Sequence, residues 1–419
     1  MMRQWLLAAA CVMSLPLQAQ VVVNVSGAQR AAQPIAVLPF TDDNGAKIDY
    51  IISTDLYKSG VLQPIDPSSL NMRPNSPQEI DYDAFRQKNI DYLSLGRMQG
   101  SHEAQFVLSD VTGREVLLND RVKADNDRQL AHEIADRILE ELTGKRGAFA
   151  TKIAYILEQD KGDIRRYSLM VSDMDGANRR EVVSSNQPIL SPTWSPDGRN
   201  IAYMTYADNR SQIVVQDISG GSKRVLVQSD DISSSPAFSP DGRSIAFSQS
   251  SNNNPDIYVI DLASGNKMRL TTHAGIDTEP AFSPDGRYVY FTSDRAGRPQ
   301  IYRISRNGGA AERVVVGNGF AANGDISPDG NSLVLTRQTG GGYQIGLYDL
   351  ASGRFEALTS GRLDEGASFA PNGQMIVYAT REGGRSVLKM INHKGGEALT
   401  LADPAGRLRD PAWGPDTRN

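Results

Sequence analysis

The chain has 419 residues, with 44 Lys and Arg against 49 Asp and Glu, a formal net charge of −5, and a composition 39% hydrophobic and 7% aromatic. That length exceeds one compact domain and supplies ordinary cores. No basic block is present, which argues against general nucleic-acid binding, because neutralising phosphates takes clustered cations.

The chain opens with "MMRQWLLAAACVMSLPLQAQ". Arg3 supplies a positive start, residues 5–15 are apolar, and "LQA" at 17–19 is a small-residue cleavage site. This predicts a signal peptide over 1–19, cut after Ala19, with export to the periplasm. No other apolar run is long enough for a transmembrane helix, which takes roughly 20 residues. Cys11 is the only cysteine and falls in the removed segment, so the mature chain has neither a disulfide nor a Cys-ligated metal.

Residues 20–148 read as a small α/β or α+β domain. "VVVNVSG" (21–27) is β-prone and nearly uncharged, and either pads an edge of its own domain or adds as a strand to a partner's sheet. Strands follow at 34–40, 61–66 and 91–100, with a hairpin over 104–124. Helices are predicted over 46–60, 81–89 and 125–144. In the last of these, Leu130, Ile134, Ile138 and Leu142 recur every four residues between an Asp/Asn cap and Gly144.

From residue 149 the chain repeats. "WSPDGR" at Trp194 returns as "FSPDGR" at Phe238 and Phe282, and more weakly at Ile326, Phe369 and Trp413, giving steps of 44, 44, 44, 43 and 44 residues. Ser, Pro, Asp and Gly in that order suit a tight turn, and β-formers flank each copy. Four short strands per repeat describe a propeller blade. The copy at Trp413 stops after one strand, and its three missing strands stand upstream at 152–159, 166–176 and 180–184. The prediction is therefore a six-bladed propeller over 149–419, whose last blade joins the two ends of the domain. The turn residues Asp197, Asp241, Asp285 and Asp329 are read as structural.

Catalytic signatures are missing. No G-x-S-x-G elbow occurs, and His102, His132, His273 and His393 form no H-E-x-x-H or H-x-H pattern. Each of the four histidines reads as a surface or loop residue. "TGGGY" (339–343) reads as a hairpin loop. What remains is a binding surface made by the loops preceding the innermost strands, which vary on a repeating scaffold. Asp277, Glu279, Asp364 and Glu365 lie in them, a set that would draw a cation such as calcium to the funnel. No other cofactor or metal site is expected.

The signal peptide, "VVVNVSGAQRAAQPIAVLPF", "LTGKRGAFATKIAYI", "TEPAFSPDGR" and "SDRAGRPQIY" together resemble the TolB family, periplasmic propeller proteins of the Tol-Pal envelope system, over essentially the whole mature chain. The resemblance implies no catalytic activity. It implies a funnel face that binds the peptidoglycan-associated lipoprotein Pal, and an N-terminal strand that binds TolA, in support of outer-membrane integrity and of constriction at cell division. By position, the Pal rim maps to Ile232, Ser235, Thr278 and Glu279, and the TolA strand to Gln20, Val21, Val22, Val23, Asn24 and Val25. The loop before Pro236 carries no histidine where the family's does, and residues 20–27 carry no acidic residue. The resulting expectation is a monomeric, non-enzymatic adaptor that meets membranes only through its partners. Two alternatives stand beside it: a propeller hydrolase or lyase with an unrecognised funnel site, and a scaffold of an outer-membrane assembly complex.

Overall fold

The structure, a computed structural model, describes residues 32–317, 319–402 and 405–418. The signal segment and the strand at 20–25 lie outside these residues. The front domain is built on a five-stranded sheet in the order β2-β1-β3-β4-β5, formed by β1 (Gln33–Val37), β2 (Leu62–Ile65), β3 (Tyr92–Gly100), β4 (Glu103–Asp110) and β5 (Glu115–Lys123). β1 runs parallel to both of its neighbours, while β3, β4 and β5 form an antiparallel meander. β1 is apolar throughout its centre because both faces of the sheet are covered. Ile35 and Val37 pack under α1 (Ile48–Lys58) and α3 (Asp127–Thr143). Ala36 faces the other side, with Phe85 of α2 (Tyr82–Gln87). α3 starts where the Asn126 side chain accepts from the Gln129 N–H at 2.9 Å. It ends at Gly144, whose φ of 72° continues the chain without a Cβ clash. Leu130, Ile134 and Ile138 are fully buried on it, as their spacing predicts.

Six four-stranded antiparallel sheets follow, one per blade. The SPDG turns join each innermost strand to the next. In the first, Asp197 accepts from the Ser195 hydroxyl at 2.5 Å and from the Arg199 N–H at 3.0 Å, and Gly198 sits at φ 67°. The same bonds recur at Asp241, Asp285 and Asp329. These carboxylates are consumed in holding turns, and the hydroxyl and amide donors lower their pKa values.

The last sheet joins Arg407–Trp413 to Lys152–Lys161, Ile164–Asp173 and Arg180–Ser185, so the closing blade takes its innermost strand from the far end of the chain. Closure pairs the strand Lys152–Lys161 on both sides, and the edges that remain in the ring are the innermost and outermost strands of each blade. "TGGGY" forms the hairpin between Ser332–Thr339 and Gly342–Asp349. The two domains share one core: Ile48, Ile138 and Phe149 cluster with Met375, Met390 and Trp413 of the propeller. The two domains are therefore packed against each other, not merely tethered.

Candidate functional site

Each innermost strand carries one residue with left-handed backbone near its start: Ser191, Ser235, Glu279, Asn323, Gly366 and Asp410, with φ between 49° and 63°. They recur at steps of 44, 44, 44, 43 and 44, and at each the pairing with the next strand shifts register. These are β-bulges, which turn a side chain out of the ladder, here toward the propeller axis. Proline follows in four of the six (Pro192, Pro236, Pro280 and Pro411), tolerated because an innermost strand has a free edge. Together the six bulges line a central cavity of about 410 Å³.

Two bulge carboxylates bridge neighbouring blades. Glu279 accepts from the Asn323 N–H at 2.8 Å and from the Thr292 hydroxyl at 2.7 Å, and Asp410 accepts from the Ser191 N–H at 3.0 Å. Burial raises the Glu279 pKa, and the Asp410 charge across the cavity adds to the rise. Asp325, two residues past the Asn323 bulge on the same strand, accepts from the N–H groups of Phe369 and Ile326, both at 2.9 Å, yet burial pushes its pKa up to about 6. The lining carboxylates Glu279, Asp325, Glu365 and Asp410 outnumber its one cation, Arg409, which is itself paired to Glu158 at 2.9 Å.

Asp325 makes folding stability depend on pH. Its folded pKa lies above the ordinary carboxylate value, so the folded chain holds this proton more tightly than the unfolded one. The contribution is fully present below about pH 4 and is lost as pH rises through about 6, at up to about 1.4 kcal/mol per pH unit. Urea unfolding of the wild type and Asp325→Asn between pH 4 and 7 should show the wild type losing stability relative to the variant as pH rises. Parallel profiles would contradict this.

The predicted rim residues separate into two groups. Ser235 and Glu279 line the cavity. Ile232, 58% exposed, immediately precedes the innermost strand Ser233–Phe238, and Thr278 is half-buried at the second position of the strand Asp277–Phe282. Beside Ile232 the structure adds residues not singled out from the sequence. Ile276 is 49% exposed, Leu363 is 47% exposed, and half-buried Phe320 meets Tyr343 edge-on with ring centroids 5.2 Å apart. Ile232, Ile276 and Phe320 lie 44 residues apart, and their carbonyls accept from the N–H groups of Ser250, Asp294 and Gln338, in or just past the adjacent strands. The repeat therefore holds their backbones alike, each immediately before the innermost strand of its blade, three residues ahead of a bulge that lines the acidic well.

The four-carboxylate cation set does not assemble. Asp277 is fully buried and held by two bonds from Arg295, at 2.9 and 2.8 Å, with the guanidinium stacked on Phe291 and Tyr302. Asp364 is buried against the hydroxyls of Thr359 and Thr380 and the Gly361 N–H. Only Glu279 and Glu365 face the cavity.

His132 corrects a second expectation, since it lies in the interior and not at the surface. Its Nδ1 is 2.5 Å from Asp55 of α1, and the side chain is 3% exposed. Burial opposes its charge, but the facing Asp55, with Asp175 behind, outweighs burial and raises its pKa. Among the described residues, His132, Asp173 and Asp175 are the one group whose ligand atoms converge as a metal site would need. The aspartates are already held by cations. Lys152 is 3.1 Å from Asp173, Lys58 is 3.7 Å from Asp175, and Arg128 reaches both. The group is an ion-pair network between the domains and does not fit a metal centre. The other histidines serve local structure: His102 bonds Asp127 at 2.7 Å, His273 accepts from the Gly275 N–H at 2.8 Å, and His393 bonds the Gln374 carbonyl at 3.0 Å.

Comparison with known proteins agrees with this architecture. A family profile described as the TolB beta propeller domain matches residues 139–417, and one described as the TolB amino-terminal domain matches residues 21–117. Tol-Pal system protein TolB of Methylococcus capsulatus is 53% identical over 405 residues, covering 95% of each chain. That of Thioalkalivibrio sulfidiphilus is 49% identical over 417 residues, covering 97% of this chain and 96% of its relative. The crystal structure of TolB from Acinetobacter baumannii superposes with a TM-score of 0.85 at 38% identity, covering 92% of this chain and 97% of that one. With both profiles in order along one chain, and near-complete coverage at about half identity, the chain belongs to the TolB family of Tol-Pal system proteins.

Proposed function

We propose that the protein is a non-enzymatic, monomeric adaptor of the Tol-Pal system, acting in the periplasm after cleavage behind Ala19. In this reading the funnel face of the propeller seats Pal, the strand at residues 20–25 is taken up by TolA, and the linkage supports outer-membrane integrity and constriction at division. Its relatives carry the name Tol-Pal system protein TolB, and among the described residues no helix is long and apolar enough to cross a membrane. One observation carries the site assignment: exposed Ile232, Ile276 and Leu363, with half-buried Phe320, lie in the loops just before innermost strands whose bulges line an acidic well. Exposed apolar side chains beside charged groups that fix orientation suit a protein-binding face. Ser235, Thr278 and Glu279 belong to the same face, Thr278 as a contact and Glu279 as the group that holds the wall of the well.

A photo-crosslinking residue placed at Ile276 in living cells tests this. The expected product is an adduct with Pal. An adduct with a porin or an outer-membrane assembly factor, and none with Pal, would favour the scaffold reading instead.

A further inference from the structure

Past the closing strand Arg407–Trp413, residues 414–418 do not leave the molecule. Gly414 donates to the Lys152 carbonyl at 2.8 Å, and the chain then crosses the first blade's SPDG turn. A Cβ built on Gly198 there would stand 2.7 Å from Thr417 and 3.5 Å from Pro415. Arg418 ends up against α3 of the front domain. Its Nη1 donates to Asp136 at 2.6 Å and also to Glu133, while Asp416 holds the guanidinium from behind with two bonds of 2.7 Å.

Asp136 is the hub of this contact. It is fully buried, and its carboxylate also accepts from the N–H groups of Phe149 at 2.7 Å and Ala150 at 3.2 Å, in the connection between the domains. Gly147 lies so close that any Cβ would collide with the same carboxylate. Arg146 of that connection bonds Glu133 as well and approaches Asp416 at 3.9 Å. Helix, connection and post-closure segment thus meet at one carboxylate, and the cation the structure puts on it is Arg418. A buried carboxylate stripped of its cation is strongly unfavourable. The carboxylate that holds the connection is therefore paired with a residue whose place is set by the closing strand five residues before it.

We propose that residues 414–418 form an interdomain clasp, in which Arg418 locks the front domain onto the closed propeller through Asp136. The clasp adds to the shared core an ion pair that can form only on the closed ring, and Arg418 itself acts on the domain junction and not on the blades. It goes beyond the Pal and TolA assignments and stands whether or not they do.

Limited trypsin digestion of the full mature chain tests it, because Lys145 and Arg146 sit in the junction. Arg418→Ala should raise the rate of cleavage there about tenfold or more, with the propeller's thermal transition retained. Adding Asp136→Asn, which removes the stranded charge but keeps an acceptor for the connection, should return the rate toward that of the wild type. An unchanged rate in Arg418→Ala would overturn the proposal. So would a variant whose propeller no longer unfolds cooperatively, since the residue would then serve the ring. So would a double variant cleaved as fast as Arg418→Ala.

Discussion

Deletion of residues 407–418 removes the single cooperative unfolding transition of the propeller. The closing strand pairs from Arg407↔Glu158 to Trp413↔Ile153, and it supplies two large buried side chains, Leu408 at 1% and Trp413 at 7% exposure. Trp413 donates from its indole to Thr151 at 2.8 Å, and the Ala412 carbonyl accepts from the Trp194 indole of the next blade at 3.0 Å. Losing a buried Trp and a buried Leu costs about 5–10 kcal/mol together, of the order of a domain's whole stability of roughly 5–15 kcal/mol. The apolar strand Lys152–Lys161 would also be left as an open edge. Calorimetric scanning should show no sharp transition, with aggregation on heating. A transition within a few degrees of the wild type would contradict the closure described here.

Thr278→Arg weakens binding of Pal by about 2–4 kcal/mol, thirtyfold to several hundredfold in affinity, if the funnel mouth is the seat of the partner. Thr278 lies between exposed Ile276 and the Glu279 bulge, so a long charged side chain there would stand in the middle of the contact. The residue is half-buried and its hydroxyl takes no part in the bonds that hold Glu279, which come from Thr292 and Asn323. The melting temperature should therefore move by no more than about 2 °C, as for other surface substitutions. Equal affinity in wild type and variant, measured on folded protein, would move the Pal seat elsewhere.

Much of the architecture was legible because it is local and periodic. The SPDG turn is specified by four adjacent residues, and its 44-residue step shows both the number of blades and the missing strands of the last one. α3 could be read from Asn126, Gly144 and the spacing of Leu130, Ile134 and Ile138, all within one segment. The site was less legible because its features depend on distant partners. His132 looks exposed until α1 brings Asp55, 77 residues earlier in the chain, against it. Asp277 and Asp364 look like free carboxylates until Arg295 and the threonines close on them. The bulge ring was present in the repeat at Ser191, Ser235, Glu279, Asn323, Gly366 and Asp410, but only the last three are types that favour left-handed backbone, so the six positions do not read as one feature. Ile276 and Leu363 lay in loops read as variable, and stepping the repeat from Ile232 would have picked out Ile276 and Phe320.

The most direct test of the adaptor reading is a calorimetric titration of the mature chain, from Gln20 onward, with the soluble periplasmic part of Pal. Saturable binding of one Pal per chain is the predicted result. No detectable heat at several temperatures, with both proteins folded, would contradict it and leave the funnel face without its partner.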